Sequence, residues 1–379
     1  MKTVTLKPAI WTLGTIALLT ACSDQSPPLT GEAQTPAPAE EVAADRLTVD
    51  IANAMSGWLH SGLEIKSGDN VALIGRGIWE ADGLTLEPRH LLWYRIGEQG
   101  TARNFAADVE VFTADADGDL FLTLRPIGVY WDDDAGTYPA EFAEAPPIPV
   151  EITVEAIRFE EPMEVGLTSL ATAGDSAAQR ALTTLAERRT LPDGFYYLPY
   201  LGRSNVWMDG TKDGRPGIQA ATRDDVGIVK LPLDVPLTED TRFNFEWRYD
   251  SLPALGPETE PQFHDYLSIA LEFDNGQDLT WMWSPELEAG THFGCPLPWW
   301  DSRETHWVLT KGRDGLGEWH QHTREVLADY RASIQLSEPA RIVGVWFIAN
   351  SIFGRQQGAA SFANVKITNG DTETVIFGD

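Results

Sequence analysis

The chain has 379 residues, with 28 Lys and Arg against 57 Asp and Glu, which gives a formal net charge of -29 at pH 7. An acidic chain without a Lys/Arg cluster cannot neutralise a phosphate backbone, so DNA and RNA are excluded as partners. The 43% of hydrophobic residues excludes global disorder, and the length indicates two domains.

Residues 1–21 have the organisation of a secretory signal peptide. Two lysines precede a mainly apolar run, residues 9–20, which is too short for a membrane span. The run ends in Leu19-Thr20-Ala21-Cys22, which resembles the lipobox of bacterial lipoproteins. The resemblance implies cleavage before Cys22, lipidation of its sulfur and, with Ser23 next, sorting to the outer membrane, on the periplasmic or the surface-exposed side. An ordinary secretory peptide with a chance cysteine is the alternative.

Residues 22–46 are rich in Pro, Ala, Ser and acid without an apolar period, which predicts a disordered tether. Residues 47–160 instead show short alternating runs separated by turn residues, and no helical period. This pattern predicts an antiparallel β-sandwich or jelly roll. The predicted strands lie at 62–66, 71–74, 91–96, 109–112, 120–124 and 150–159.

Residues 161–190 predict a helical linker. Strong helix formers fill 176–188, Asp175 or Ser176 can cap the start, and Pro192 ends the pattern. One apolar stripe predicts a helix that connects two domains and packs on one of them, with a partner-binding helix as the alternative. The stripe consists of Ala178, Ala181, Leu182, Leu185 and Ala186.

Residues 191–379 return to β-patterning. Residues 243–250 and 267–274 both alternate apolar with polar side chains, and Asn275-Gly276 predicts a hairpin turn. With further strands at 342–349 and 360–368, the pattern predicts a second sandwich. The predicted fold class is therefore all-β, with two β-sandwich domains, jelly-roll or concanavalin-like, joined by a short helix.

The second domain resembles an uncharacterised bacterial family, Domain of Unknown Function 3047. The resemblance implies a concanavalin-like β-sandwich and, by itself, no activity. The family pattern usually ends in a second acidic pair, where this chain has Asn350-Ser351. The motifs that carry the resemblance are Asp225-Val-Gly-Ile, Phe245-Glu-Trp-Arg, Leu279-Thr-Trp-Met-Trp-Ser284, Leu316-Gly-Glu-Trp319 and Gly344-Val-Trp-Phe.

The first domain resembles the bacterial PA-I galactophilic lectin in Gly62-Leu-Glu-Ile, Gly75-Arg-Gly-Ile-Trp79 and Asp133-Asp-Ala-Gly-Thr-Tyr138. The resemblance implies a calcium ion whose shell is completed by sugar hydroxyls. Asp133 and Asp134 fall where two side-chain ligands would lie, while Pro126 replaces the upstream acidic ligand.

A second observation, the acidic loop at residues 132–134, also predicts calcium as a cofactor. Asp132, Asp133 and Asp134 form an acidic loop, and a hard cation such as calcium requires six to eight oxygen ligands. A solvated turn is the alternative, because acidic loops are common in a chain of this charge.

Three charged residues are candidates for sugar binding or cleavage. Glu246, Arg248 and Glu272 lie on the polar faces of two strands that are predicted to be adjacent. In a concave sheet face, carboxylates with an arginine can bind or cleave a sugar chain. An ordinary solvated sheet face is the alternative.

Histidines are concentrated between residues 264 and 322. His320 and His322 alternate on one strand face with Glu318, a spacing that suits a metal site with a third ligand such as His306 or His292, or a general acid/base pair. Solvent-facing side chains are the alternative. Cys295 requires a nearby base to act as a nucleophile and is otherwise a buried thiol.

Four tryptophans are candidate ligand-binding residues. Trp281 and Trp283 share a strand face, and Trp299 and Trp300 follow Pro298 in a predicted loop. Aromatic platforms stack on sugar rings, although Trp in a β-sandwich is commonly part of the core.

The leading functional hypothesis is a lipid-anchored cell-envelope protein that binds carbohydrate or another envelope polymer. The alternative is a polysaccharide lyase or glycoside hydrolase that uses Glu246, Glu272, His320 or His322, with Arg248 stabilising developing charge. Whether the chain is an enzyme stays open. A structural or assembly role is the third possibility.

Overall fold

The computed structural model describes residues 44–50, 57–81, 84–125, 131, 133–138, 151–159, 161–199, 201–298 and 300–378. The described part of the first half contains these strands and helices: β1 Ala44–Asp50, β2 Leu59–Ile65, β3 Asn70–Ala81, β4 Leu84–Leu86, β5 Leu92–Ile96, β6 Arg103–Asn104, β7 Val109–Thr113, β8 Gly118–Leu124, β9 Glu151–Phe159, α1 Met163–Thr172 and α2 Ser176–Ala186.

The second half contains β10 Tyr196–Tyr197, β11 Trp207–Lys212, β12 Arg215–Arg223, β13 Val226–Pro236, β14 Thr241–Ser251, β15 Tyr266–Phe273, β16 Asp278–Ser284, β17 His292–Gly294, β18 Glu304–Lys311, β19 Trp319–Glu325, α3 Val326–Ser333, β20 Arg341–Asn350, β21 Gln357–Asn369 and β22 Thr372–Val375. The predicted all-β class with two β-sandwiches is confirmed.

The first sandwich consists of two sheets. Sheet 1 has the order β1-β9-β3-β4, with β7 paired to β3, and sheet 2 has the order β2-β8-β5-β6. Alternate side chains such as Leu73, Tyr94, Leu122 and Val154 are buried between them. The predicted strands at 62–66 and 71–74 exist but lie in opposite sheets, because β2 pairs with β8 and β3 pairs with β9.

The two helices cover the outer face of sheet 1. The carboxylate of Asp175 caps α2 by accepting hydrogen bonds from the backbone N–H groups of Ala177 (2.8 Å) and Ala178 (3.1 Å). Apolar side chains of α2 pack against Ile157 and Phe159. The predicted helix is confirmed, and α1 is an additional helix of the linker.

The second sandwich consists of a larger pair of sheets. Sheet 3 has the order β10-β13-β20-β15-β16-β18-β17, and sheet 4 has the order β11-β12-β21-β14-β19, with β22 paired to β21. The alternation predicted for 243–250 is confirmed, since the apolar side chains of β14 are buried between the sheets. They are Phe243, Phe245, Trp247 and Tyr249, and they face Leu267, Ile269, Leu271 and Phe273 of β15.

Sheet 3 is buried on both faces. Ser268, Ala270, Thr280 and Met282 point away from the sandwich core and are nevertheless fully buried. The described residues of segment 285–303, which are 285–298 and 300–303, cover this outer face and contribute apolar side chains that pack on β15, β16 and β20. A polar side chain on this face is therefore held in a dry environment.

Polar contacts connect the two sandwiches. Arg203 donates to Glu110 of β7 (3.0 Å) and to the backbone oxygen of Asn104 (2.8 Å), and Arg89 contacts Asp224 (3.2 Å). Within the described part of the chain, no helix has the length and apolar character needed to cross a membrane.

Candidate functional site

The five predicted catalytic residues do not share one cleft. Glu246 and Arg248 lie on the outer face of sheet 4, whereas Glu272 lies on the outer face of sheet 3. The expectation that β14 and β15 are adjacent is wrong, because the loop between them carries the chain from one sheet to the other. Glu272 is bound by Lys230, by Arg303 (3.3 Å) and by the indole N–H of Trp346 (3.2 Å).

His320 and His322 lie on the opposite side of sheet 4 from Glu246. They pair across β14 with Trp247 and Phe245, so both imidazoles point inward. The His322 ring lies 4.5 Å from the Trp247 ring, and the His320 ring lies 4.9 Å from the Trp283 ring. The expectation of a polar histidine face is therefore wrong, because the strand register directs both rings to the core edge.

The other proposed partners of this histidine pair are elsewhere. His292 is an exposed residue whose Nε2 lies 3.1 Å from the backbone oxygen of Ala332, and His306 is buried beneath the loop that covers sheet 3. Glu318 is exposed just before β19. The described residues therefore do not assemble the metal site predicted around His320 and His322.

The predicted tryptophan platform is not exposed. Trp281 and Trp283 are fully buried in the core between sheets 3 and 4, where Trp281 donates to Asp329 (3.1 Å) and Trp283 to the Gly312 oxygen (2.8 Å). Their strand face points inward, so the surface interpretation is corrected. Trp300 is also buried, at 7% exposure, and Trp299 lies outside the described residues.

Hydrogen bonds within the acidic loop hold its described part in place. Both Asp133 oxygens accept hydrogen bonds from Thr137, one from its N–H (3.0 Å) and one from its hydroxyl (2.7 Å). These bonds lower the pKa of Asp133. Asp134 is exposed, and Asp132 and Pro126 lie outside the described residues, as does the predicted lipidation residue Cys22. Calcium binding here stays a prediction.

Glu246 and Arg248 belong to a network of ion pairs on the outer face of sheet 4. Arg215 donates to Glu246 (2.8 Å), while Arg248 donates to Asp213 (2.6 Å) and Asp250 (2.8 Å). Lys212 also pairs with Asp250 (3.1 Å). We call this surface the curved face; it consists of Lys212, Asp213, Arg215, Glu246, Arg248, Asp250 and Trp319.

Trp319 is the aromatic residue of the curved face. Its indole N–H donates to Asp213 (2.9 Å), and the Arg215 guanidinium lies 4.8 Å from its ring centroid. These two residues come from the β11–β12 hairpin, whereas Trp319 begins β19. Two strands separate β12 from β19, which on a flat sheet places them about 14 Å apart. The hairpin must therefore bend over the face, which makes the surface concave.

A glycine in the sheet permits this bend. A Cβ atom at Gly217 would lie only 2.0 Å from the backbone oxygen of Phe362 on β21. Its cross-strand partner is Gly210, and its neighbour on β21 is Ala363. Small residues thus form the floor of the curved face, while longer charged side chains and Trp319 surround it.

A second polar group lies on the outer face of sheet 3, beneath segment 285–303. Tyr266 (3.0 Å) and Thr280 (3.3 Å) donate to the same Glu304 oxygen. Burial raises the pKa of Glu304 to about 7. Glu304 also borders a largely apolar cavity of about 240 Å³, together with Trp300 and Leu86 of the first sandwich.

A thiol and two imidazoles lie next to Glu304. The Sγ atom of Cys295 is 3.3 Å from Nε2 of His264, and the ring centroids of His264 and His306 are 4.9 Å apart. Burial raises the pKa of the Cys295 thiol and lowers that of His264 to about 4. Cys295 is thus a buried thiol, and the imidazole beside it belongs to His264, 31 residues away in the chain.

Residues 201–366 match the family model "Protein of unknown function (DUF3047)", which confirms the resemblance predicted for the second domain. None of the curated proteins compared with the chain matches it.

Several solved structures of glycan-related proteins are similar to about half of the chain. The xyloglucanase domain of a type three effector from Sinorhizobium fredii is 10% identical, with 47% of this chain and 95% of that chain covered and a TM-score of 0.30. A family 30 carbohydrate-binding module from Clostridium thermocellum is 13% identical, with 49% of this chain and 88% of that chain covered and a TM-score of 0.26. A family 12 xyloglucanase from Bacillus licheniformis is 12% identical, with 48% of this chain and 95% of that chain covered and a TM-score of 0.29.

Proposed function

We propose that the chain binds a carbohydrate polymer on the curved face. The observation that carries the proposal is the position of the Trp319 indole beside hydrogen-bonding side chains on a concave sheet. An indole offers an apolar ring surface for a sugar ring together with a polar N–H. Asp213, Arg215 and Glu246 offer hydrogen-bond acceptors and donors for the hydroxyl groups of such a sugar.

The charge balance of the curved face favours a neutral polymer. Each of the three basic side chains Lys212, Arg215 and Arg248 is paired with at least one acidic residue, and the partners are Asp213, Glu246 and Asp250. The chain as a whole has a net charge of -29, so it repels a polyanion at long range. A neutral polysaccharide escapes this repulsion and still forms hydrogen bonds with the ion-paired groups.

The test compares the purified full-length chain with its Trp319→Ala variant on a panel of neutral and uronic-acid polysaccharides. We expect wild type to bind a neutral polymer and Trp319→Ala to bind it about 10-fold more weakly, as the loss of one aromatic contact predicts. Affinity electrophoresis or titration calorimetry gives the dissociation constants.

The matched control is Tyr196→Ala, which removes an aromatic side chain that is 40% exposed on β10 of sheet 3. It should bind like wild type. The proposal fails if wild type binds none of the polymers or if Trp319→Ala keeps the wild-type affinity.

The enzymatic alternative keeps Glu246 and Arg248 as its candidates on this face. Glu246 is paired with Arg215, and Arg248 with two aspartates, so each group already has a partner of opposite charge. Incubating the chain with uronate polymers and measuring absorbance from an unsaturated product tests for lyase activity.

We further propose, from the lipobox-like pattern at residues 19–22, that Cys22 anchors the protein to the outer membrane. A lipid anchor would hold the curved face near envelope polymers. Fractionation of cells that express wild type or Cys22→Ser tests this proposal, since loss of the anchor moves the protein from the membrane to the soluble fraction.

A further inference from the structure

The outer face of sheet 3 contains a group of three potential metal ligands that the curved face does not involve. One ligand atom each from His264, Cys295 and His306 lies within 4.8 Å of the others. Among the described residues, these are the metal-ligating side chains that the structure brings together as a group of at least three. All three are buried, and Cys295 itself belongs to segment 285–303.

Each of the three side chains is supported by sheet 3. His264 comes just before β15, Cys295 follows β17 directly, and His306 is on β18. A site built on strands keeps its ligand atoms in place, which a site on exposed loops does not.

The tautomer of His264 suits metal binding. Its Nδ1 lies 2.6 Å from the backbone oxygen of Glu258, which only accepts, so Nδ1 bears the hydrogen. The lone pair of Nε2 therefore points at Cys295. A ring N–H that donates to a backbone carbonyl is the usual support of a metal-ligating histidine.

His306 lacks a hydrogen-bond partner. Neither of its ring nitrogens forms a hydrogen bond with any described group, although the side chain has no solvent exposure. A buried polar group without a partner costs about 1–3 kcal/mol or more, and native proteins rarely leave one in place. A cation that accepts a nitrogen lone pair removes this cost.

Glu304 lies beside this group. Its Oε1 atom lies 3.5 Å from Nε2 of His306, and its carboxyl also interacts with the Cys295 thiol. One thiolate and two neutral imidazoles are sulfur and nitrogen ligands of the kind that zinc prefers, and three protein ligands suffice for a zinc site with an open position. The neighbouring carboxylate compensates part of the charge of a divalent cation.

We propose that His264, Cys295 and His306, with Glu304 beside them, bind a zinc ion that holds segment 285–303 on sheet 3.

In the metal-free protein, burial sets the protonation of these side chains. It raises the pKa of the Cys295 thiol and of Glu304, and it lowers the pKa of both imidazoles. Without metal the thiol and both imidazoles are thus neutral near pH 7. Zinc binding must then displace the proton of Cys295, so its affinity rises with pH.

The first experiment uses the purified full-length wild-type chain. We expect elemental analysis to find one zinc per chain, and a chelator to remove it with a fall in melting temperature that zinc restores. Cobalt added to the stripped protein should give thiolate-to-cobalt charge transfer and the intense visible bands of a tetrahedral site. Absence of zinc together with absence of these bands overturns the proposal, and copper in place of zinc overturns the assignment of zinc.

The second experiment uses variants. Cys295→Ser should abolish the charge-transfer band, and His306→Gln should lower zinc affinity by about 100-fold or more, as the loss of a metal-supporting group does. The matched control His60→Gln changes an exposed histidine of β2 and should keep the wild-type stoichiometry.

Circular dichroism verifies that each variant folds. If a variant does not fold, the cobalt spectrum of the wild-type chain decides whether the proposal holds. A Cys295→Ser variant that binds zinc as tightly as wild type contradicts it. Sugar binding at the curved face is independent of this result, because Trp319 is on sheet 4.

Discussion

The imidazole of His322 shows how burial sets the protonation of a single residue. The ring packs between Phe245 and Trp247. Burial, with smaller contributions from His320 and Arg324, lowers its pKa from 6.5 to about 4. Below pH 6.5 the unfolded chain binds a proton that the folded chain refuses until about pH 4. The stability that depends on neutral His322 is therefore complete above this window and is lost as the pH falls through it.

This predicts the effect of His322→Leu on the pH profile of unfolding. The variant should lose less stability than wild type between pH 6.5 and about pH 4. The difference is on the order of 1 kcal/mol, after allowance for solvent near this partly buried ring. Urea unfolding at a series of pH values measures it. His60→Leu is the control at an exposed site, and parallel pH profiles for wild type and His322→Leu would refute the prediction.

At the scale of elements, the close approach of β12 to β21 requires Gly217. In Gly217→Ala the added methyl group meets the backbone oxygen of Phe362, which cannot move without separating the two strands. We expect a loss of roughly 2 kcal/mol or more of unfolding free energy, as overpacking predicts. Sugar affinity should fall with it, because the curved face flattens.

The matched control for this change is Gly210→Ala, at the cross-strand partner of Gly217. There the added methyl group meets the end of the flexible Gln219 side chain, which can move aside. This variant should lose less than about 0.5 kcal/mol. Urea unfolding of both variants measures the contrast, and equal losses would show that the bend does not depend on Gly217.

Sequence periodicity predicted individual strands better than their partners. The alternation of β14 correctly identified the inward Phe243 and Trp247, because a residue period of two is a local property. The choice of sheet depends on long loops, which is why Glu272 was expected beside Glu246. Sheet 3 is buried on both faces, so the alternation of side chains on β16 did not show that neither face of the strand is exposed to solvent.

The two sites differ in how far the sequence indicated them. Concentration of histidines between residues 264 and 322, together with the spacing of Glu304 and His306, was a signal for the buried group. The signal for the curved face was weaker, because Asp213 and Trp319 are 106 residues apart in the sequence and meet only when the sheet bends. Trp319 appeared in the sequence only as part of a family motif.

At the scale of the whole molecule, Arg203 joins the two sandwiches. It is located between β10 and β11 and contacts Glu110 and Asn104 of the first sandwich. Glu110 is 3% exposed, so its carboxylate depends on this partner for charge compensation. The junction also borders the cavity to which Leu86 and Trp300 contribute. Because burial is shared across the junction, we expect the described part of both sandwiches to unfold together.

Glu110→Gln tests this junction. The amide keeps the shape of the side chain but removes the charge, so Arg203 loses its ion pair between the sandwiches. We expect a loss of about 2 kcal/mol, less than for a fully buried pair because Arg203 is partly exposed. For a chain of this size that lowers the melting temperature by roughly 3 °C in calorimetry, with one transition retained. Asp234→Asn is the control, since Asp234 pairs with Arg341 at the surface and such pairs contribute about 0–1 kcal/mol. Equal shifts in the two variants, or two separate transitions in wild type, would contradict a stability shared across the junction.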